Sequence, residues 1–446
     1  MTLCWLVLAA CDSEDTGDTA GPDSADTADS GDGTVTDPLS MPATPTLDAG
    51  DFPTSDTCAE CHPDHVAEWA VSTHAYAIVD PVFQALVGLR QGHADGREDR
   101  VCTQCHSAIG VRSGEIGPGF SFSALSPVVQ EGVTCVACHT VTDVQRPYNS
   151  GHVLDPGAPM QGPIADAAST TAHLSAYSDL FDDAELCGGC HDVTEPTGLE
   201  LERPYAEWLQ SPSQAEGTPC QGCHMTSTRG PAATGGPERD RHDHRFVGLD
   251  NPTGDPELQA RVEALLTDIA AVDLIVPASS PVGERLVVTA DVHNLIDGHN
   301  LPTGSTFIRE LWVELLVADD AGTIVYASGT LGVEGDLRGY WSPSDPYGDP
   351  DLVTFGSAFV DAWGEPTLFP WLASEHWSAA IPPQYHRAVS WMVPTDTLAE
   401  GTYTVSARLR LRPFPPFLLR ALGQNAAADA QPIYDLASAD AVVELR

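Results

Sequence analysis

Ten of the twelve cysteines in this 446-residue chain form five C-x-x-C pairs, and a histidine directly follows each pair. In chain order, the first to fifth motifs are Cys58, Cys61 and His62; Cys102, Cys105 and His106; Cys135, Cys138 and His139; Cys187, Cys190 and His191; and Cys220, Cys223 and His224. Two thiols at this spacing lie one helical turn apart, so each can add to one vinyl group of a haem while the adjacent histidine lies beneath the iron. The pattern predicts five covalently bound haems c.

Zinc binding and dithiol redox chemistry are the alternatives for a C-x-x-C pair. A structural zinc site commonly takes two such pairs, whereas this chain has five, an odd number. Zinc does not require histidine directly after the second cysteine, and a redox dithiol needs a βαβ setting that these stretches lack. Covalent haem attachment explains both the cysteines and the histidines.

Five haems between residues 58 and 224 would leave little chain for a conventional core, so the cofactors themselves must form much of it. The Gly- and Pro-rich stretches between the motifs favour loops over long helices. We therefore expect a haem-packed domain of short α-helices and loops over residues 53–250.

Eleven histidines lie outside the motifs and are candidates for the sixth coordination position of each iron. Low-potential electron carriers commonly fill that position with a second histidine, whereas an open position allows small-molecule chemistry. Spacing alone does not pair these histidines with particular haems.

The first half of the chain resembles the multihaem c-type cytochromes related to the tetrahaem electron carrier that serves hydroxylamine oxidation. The resemblance covers roughly residues 54–250 and rests on EWAVSTHA (68–75), EGVTCVACH (131–139), LCGGCHD (186–192) and YAEWLQSPSQAEGTPCQGCHM (205–225). It implies second axial ligands at His74, His152, His173 and His244. His65, one turn after His62, is interpreted as structural.

An internal repeat accompanies this resemblance. Ala67-Glu68-Trp69 with Ser72 is echoed by Ala206-Glu207-Trp208 with Ser211. Ser213 stands in the second copy where His74 stands in the first, so one haem is expected to be ligated differently.

The sequence pattern of the chain changes after residue 255. PELQARVEALLTDIAAV predicts an amphipathic helix with Pro256 in its first turn. Alternating apolar runs then predict strands over residues 284–294, 309–320, 323–328, 386–393 and 402–412, with a tight turn at residues 320–322. We expect an all-β immunoglobulin-like sandwich over residues 255–446 with a long insertion at about residues 335–383.

GHNLPTG (298–304), followed by Arg309 and Trp312, resembles a β-domain often found downstream of such haem domains. In that context His299 would reach back to bind a haem iron. The alternative is a loop histidine held by Pro302 and Thr303 in a tight turn.

The N-terminus predicts a secretion and anchoring signal. Residues 1–11 contain a short apolar stretch, and Leu8-Ala9-Ala10-Cys11 resembles a bacterial lipobox in which Cys11 is lipidated; ordinary secretory cleavage nearby is the alternative. Residues 12–52 are rich in Asp, Ser, Thr, Gly and Ala, which predicts a disordered acidic linker. These features predict a lipid-anchored protein of a Gram-negative-type cell envelope, periplasmic or at the cell surface.

The charge of the chain excludes one class of function and favours another. Acidic residues outnumber basic ones 64 to 20, the formal net charge is −44, and all the basic residues other than histidine are arginine. Such a chain lacks the basic surface that nucleic-acid binding requires. We expect redox partner proteins with basic docking patches, and electron transfer between them as the function. An enzyme acting on a small nitrogen or sulfur compound at a five-coordinate haem remains the alternative, and a surface-assembly protein is a third.

Overall fold

Short helices carry the C-x-x-C-H motifs in the computed structural model, which describes residues 46–94 and 100–446. The helices of the first half are α1 (Ser55–Ala59), α2 (Pro63–Ala70), α3 (Thr73–Tyr76), α4 (Pro81–Ala94), α5 (Arg100–His106), α6 (Ala108–Ser113), α7 (Pro127–Gln130), α8 (Cys135–His139), α9 (Glu185–Gly188), α10 (Pro204–Trp208), α11 (Pro212–Glu216) and α12 (Cys220–His224). Several begin at proline, whose fixed φ suits the first helical turn and whose missing N–H is not needed there. Their shortness matches the sequence prediction.

Four two-stranded ribbons join these helices, where the sequence predicted only loops. They pair β1 (Val141–Val144) with β2 (His152–Leu154), β3 (Met160–Gly162) with β4 (Ser175–Tyr177), β5 (Val193–Thr194) with β6 (Glu200–Glu202), and β7 (Ser227–Pro231) with β8 (Glu238–His242). Most of these strands have only two or three residues, too few for an alternating pattern to be recognised.

The end of the predicted linker is folded. Residues 49–51 form a 3₁₀-helix, Ala49 and Phe52 are buried, and the N–H groups of Thr46 and Leu47 donate to the Arg112 carbonyl. The linker predicted over residues 12–52 is therefore too long at its C-terminal end, because Phe52 joins the apolar cluster of the haem-motif region.

The second half is a β-region built around two sheets. One sheet has the order β10 (Ser279–Ser280), β20 (Tyr434–Leu445), β19 (Gly401–Arg412), β12 (Glu310–Ala318) and β13 (Ile324–Ser328), with β14 (Val353–Phe355) also paired to β12. The other has the order β18 (His386–Val393), β11 (Leu286–Asn294) and β9 (Ala270–Ile275). Buried side chains from both sheets form one apolar core, and in β19 every second residue from Tyr403 to Leu411 is buried. This alternation is why periodicity predicted the strand.

Two boundaries differ from the prediction in this region. The helix predicted over PELQARVEALLTDIAAV ends early: α13 spans Pro256–Leu265, and residues 270–275 form β9 instead. β9 pairs with β11 over six residues, so tertiary pairing decides the structure of an apolar run that suits either element. The predicted turn at residues 320–322 joins β12 to β13, with the Gly322 N–H donating to the Asp319 carbonyl at 2.9 Å.

The long insertion contains a small sheet of its own. β15 (Ser357–Asp361) pairs with β16 (Pro366–Thr367) and with β17 (Ala373–Ser378). Two short helices, α14 (Pro416–Ala421) and α15 (Asn425–Asp429), follow β19.

The haem-motif region and the β-region pack directly against each other. Val82 of α4 shares an apolar cluster with Leu419 of α14 and Ala428 of α15. All the described residues accordingly belong to one compact unit. Within the described ranges, none of the helices combines the length and apolarity needed to cross a bilayer. The predicted lipobox at Cys11 and most of the predicted linker lie outside the described residues.

Candidate haem-binding cluster

The first four motifs line a single cavity of about 1730 Å³. Drug-sized ligands usually occupy pockets of roughly 300–1,000 Å³, so this space exceeds what one such ligand needs. Its walls include both cysteines and the histidine of each of these motifs. Of the fifth motif, only Gln221 lines this cavity. The Cys220 side chain of that motif lies next to Cys187 of the fourth.

Neighbouring cysteines of this kind link the motifs into a connected set. The side chain of Cys58 of the first motif lies next to that of Cys135 of the third. The side chain of Cys105 of the second motif lies next to that of Cys190 of the fourth. The motifs are thus neighbours in the pairs first and third, second and fourth, and fourth and fifth.

Four of the five motif histidines face a histidine from elsewhere in the chain across a gap of constant width. The ring centroids are 6.3 Å apart for His62 and His173, 6.1 Å for His191 and His74, 6.4 Å for His139 and His244, and 6.2 Å for His224 and His299. Metal–imidazole bonds are about 2.0–2.1 Å long, so two rings on opposite sides of one metal have centroids roughly 6 Å apart. The four gaps therefore fit one haem iron each.

Hydrogen bonds from Nδ1 leave Nε2 free in most of these rings. In four motif histidines Nδ1 donates to a backbone carbonyl: His62 to Ala232 at 2.7 Å, His106 to Ala77 at 2.8 Å, His139 to Gln161 at 2.6 Å and His224 to Val247 at 2.6 Å. Such a bond fixes the tautomer and makes Nε2 the metal-binding atom. In the facing histidines, Nδ1 of His244 and of His299 likewise donates to a carbonyl at 2.9 Å.

Burial lowers the pKa of three facing histidines, His74, His244 and His299, and so keeps them neutral. It lowers the pKa of His74 to about 3 and that of His299 to about 4. A neutral ring retains the lone pair that metal binding requires. The donor set is thus chemically suited to ferric and ferrous haem iron.

The surroundings of His74 show how the chain holds a ligand far from its own motif. Val133, just ahead of the third motif, donates its N–H to the His74 carbonyl at 3.0 Å. Gly132 has a φ of +70°, and a Cβ there would lie 2.8 Å from the His74 carbonyl oxygen. Only glycine permits this close approach. His74 thereby faces the fourth motif rather than the first.

His106 of the second motif differs from the other four. Its ring stacks on Phe83 with centroids 3.8 Å apart and an interplanar angle of 8°. Within residues 46–94 and 100–446, no histidine ring faces it across a gap like those of the other motifs. Among the described residues, the second motif is therefore the one without a facing histidine, whereas His224 of the motif near Ser213 faces His299.

His152 does not occupy the position that the resemblance implied. Its Nε2 donates to the Leu186 carbonyl at 2.7 Å, and its Nδ1 lies 3.8 Å from Cys190 Sγ. Both ring nitrogens thus contact protein atoms, and the ring does not face a motif histidine. Long-range packing of β2 against α9 decides this, and the sequence spacing carries no signal for it.

His65 and Ser213 clarify two further predictions. The ring centroids of His65 and His62 are 6.0 Å apart, but the two residues lie on the same helical segment and their rings are inclined at 74°. The His65 ring also packs edge-on against the His244 ring, with centroids 4.7 Å apart. It supports neighbouring ligands rather than facing one across a gap. Ser213 donates its N–H to the Asp297 carbonyl at 3.1 Å. This bond holds the loop that carries His299 next to Ser213, the position where the second copy of the repeat has no histidine.

Comparisons with known proteins agree with this geometry at the level of class. Residues 57–140 match the family model described as cytochrome c554 and c-prime. No curated protein matches the chain. The chain is similar to the penta-haem cytochrome c552 of Thermochromatium tepidum, with 22% identity, a TM-score of 0.62, and coverage of 88% of this chain and 99% of that one. A CARDB domain from Pyrococcus furiosus matches at 13% identity with a TM-score of 0.16, over 39% of this chain and 86% of that one, too low to carry an argument.

The fold is therefore that of a multihaem c-type cytochrome. The family match and the structural similarity together support covalent binding of haem c by this chain.

Proposed function

We propose that this chain carries electrons between redox partners through five covalently bound haems c, one at each motif. The observation that carries the proposal is the set of four facing histidine pairs with centroids 6.1–6.4 Å apart. Bound haem iron takes up and releases one electron at a time. The four facing pairs would hold four of the irons six-coordinate, a state suited to transfer rather than to substrate binding.

The positions of the motifs support a route. Neighbouring cysteine side chains connect the first motif to the third, the fourth to the fifth, and the second to the fourth. His74 joins the third motif to the fourth, because its carbonyl accepts the Val133 N–H at 3.0 Å and its ring faces His191. The resulting path runs first, third, fourth, fifth, with the second motif as a branch at the fourth.

Removing single haems tests this path. Cys135→Ala with Cys138→Ala deletes the third attachment site and should interrupt transfer from the first haem to the fourth and fifth. Cys102→Ala with Cys105→Ala deletes only the branch and serves as the control. Time-resolved reduction after rapid injection of one electron should show equilibration slowed at least tenfold in the first variant only. Equal behaviour of the two variants would contradict the route.

The open side of the second motif favours a second candidate function. A haem held by His106 without a facing histidine would offer a coordination site to a small nitrogen or sulfur compound. The pocket wall beside Cys102 carries the buried Arg90–Glu195 ion pair, with an N–O distance of 2.7 Å. Titration with nitric oxide or cyanide tests this function. Binding of one ligand per chain supports it, and no binding in either oxidation state contradicts it.

Location and partners form a further part of the proposal. Cys11 would be the lipid anchor and the acidic segment after it a tether, which places the protein in a bacterial cell envelope of Gram-negative type. The net charge of −44 supports docking to basic patches on redox partners. The ligand pattern supports a relation to the tetrahaem carrier that serves hydroxylamine oxidation, and the two facing sheets support an immunoglobulin-like classification of the β-region.

A further inference from the structure

The two copies of the internal repeat make matching contacts with two haem motifs. The first copy is Ala67-Glu68-Trp69 with Ser72, and the second is Ala206-Glu207-Trp208 with Ser211. In both copies the serine accepts a backbone N–H at the start of the next short helix, from Ala75 and from Gln214, at 3.3 Å. The two segments therefore have the same local structure as well as the same residues.

Each tryptophan holds the chain just ahead of one motif. Trp69 Nε1 donates to the Val133 carbonyl at 2.8 Å, two residues before Cys135. Trp208 Nε1 donates to the Thr218 carbonyl at 2.9 Å, two residues before Cys220. The contact is the same although Val133 lies 64 positions from its tryptophan and Thr218 only 10. Local sequence proximity does not explain this equivalence.

Each glutamate accepts a backbone N–H at or next to the histidine that faces the same motif. Glu68 Oε2 accepts the His244 N–H at 3.0 Å, and His244 faces His139 of the third motif. Glu207 Oε2 accepts the Asn300 N–H at 3.1 Å, and the preceding residue, His299, faces His224 of the fifth motif. The tryptophan and the glutamate of one copy thus act on the two axial sides of a single haem site.

We infer that the duplicated segment is a clamp in which Glu68 and Glu207 are positioning residues for the second axial ligands of the third and fifth haems. The inference rests on the proposed function, since it requires haems at those motifs. A buried carboxylate that accepts a backbone N–H forms a charge-assisted bond about twice as strong as a neutral one. It fixes the backbone beside the ligand without touching the iron.

The two glutamates differ in their second contacts, so we expect their replacement to affect the two haem sites to different extents. Glu68 is 6% exposed and forms an ion pair with Arg241 at 2.9 Å. The ion pair is a second contact between Glu68 and the segment that carries His244. Glu207 instead accepts the Thr303 hydroxyl at 2.5 Å, on the same loop as His299. Both bonds of Glu207 therefore hold the His299 loop, and the fifth haem should depend more strongly on its clamp than the third.

Replacing Glu207 tests the clamp through the spin state of one haem. Glu207→Leu should leave five haems attached and shift the equilibrium between bound and unbound His299 about 10–100-fold toward unbound, the size usual for lost outer-shell support of a metal ligand. Electron paramagnetic resonance should show a new high-spin ferric signal of up to one haem per chain. Glu216→Leu, at an exposed site on the adjoining helix, is the matched control and should show none.

Two further variants separate positioning from general damage. Glu207→Leu should add no spectral change at the fifth haem in a His299→Ala background, whereas an independent effect would add to it. Thr303→Val removes one of the two bonds and should give a smaller high-spin signal, which keeps the test valid even if Glu207→Leu fails to fold. Unchanged spin states in both single variants, or additivity with His299→Ala, would overturn the clamp. Fewer than five haems in the unaltered protein would instead overturn the proposed function.

Discussion

At the scale of single residues, the facing histidines show what the sequence can predict and what it cannot. His74, His173, His244 and His299 were predicted as ligands from motif resemblance, and each faces a motif histidine. Their pairing was beyond the sequence, because His74 reaches the fourth motif through a contact with residues 132–133 that no spacing rule encodes. The same limit explains His152, whose ring nitrogens are used by Leu186 and Cys190.

His74→Ala should convert the fourth haem to high spin while all five haems stay attached. Attachment requires only the thiols, whereas the sixth ligand is lost with the imidazole. Loss of a strong-field ligand that favours ferric iron should also raise the potential of that haem. Paramagnetic resonance combined with a redox titration measures both changes.

His93→Ala provides the control for this variant. His93 is exposed near the end of α4. The His93→Ala variant should leave the spin states and potentials of the haems unchanged. An unaltered low-spin spectrum in His74→Ala would show that His74 is not an iron ligand.

At the scale of elements, the β-region takes part in the haem site rather than lying apart from it. The loop after β11 delivers His299, and Asn294 at the end of β11 supports that loop by donating from Nδ2 to the His299 carbonyl at 3.1 Å and the Ile381 carbonyl at 2.9 Å. The sequence predicted five strands of this region, β11, β12, β13, β18 and β19, from their alternation. It did not predict β20, an Ala- and Asp-rich segment of low β propensity, because that strand forms by pairing along β19.

Asn294→Ala should destabilise the protein and loosen the fifth haem together. The side chain is 1% exposed, and leaving the His299 carbonyl without this donor costs about 1–3 kcal/mol. The Ile381 carbonyl keeps the Leu301 N–H as a donor at 2.9 Å. Denaturant unfolding should show this loss, and the spectrum should show a partial high-spin fraction.

Thr289→Ala on the same strand is the matched control for Asn294→Ala. Its hydroxyl contact with Ser390 is exposed, so both the stability and the spin states should change little. A stability loss in Asn294→Ala without any spectral change would contradict the prediction that this loop holds a ligand of the fifth haem.

At the scale of the whole molecule, the five motifs lie close together in one fold, and the chain is strongly acidic. Neighbouring cysteine side chains place every motif next to at least one other. The number of haems can be predicted from the sequence because attachment chemistry is local, whereas the route that we propose between them depends on the fold.

Cys11→Ser should release the protein from the membrane fraction or block its processing. The expectation follows from the lipobox-like residues 8–11, because the thiol of the cysteine carries the lipid. Fractionation with detergent and mass analysis of the mature N-terminus measure the outcome. A wild-type protein that is already free of membranes, with an unmodified amine beyond residue 11, would contradict the anchor.

The central claim is the number and ligation of the haems, and one combined measurement tests it most directly. Intact mass together with quantitative paramagnetic resonance of the oxidised protein gives both values on a single sample. Five haem masses above the processed polypeptide, with four low-spin haems and one high-spin haem, are predicted by the four facing histidine pairs and the exceptional His106. Four or fewer attached haems, or more than one high-spin haem, would contradict the account.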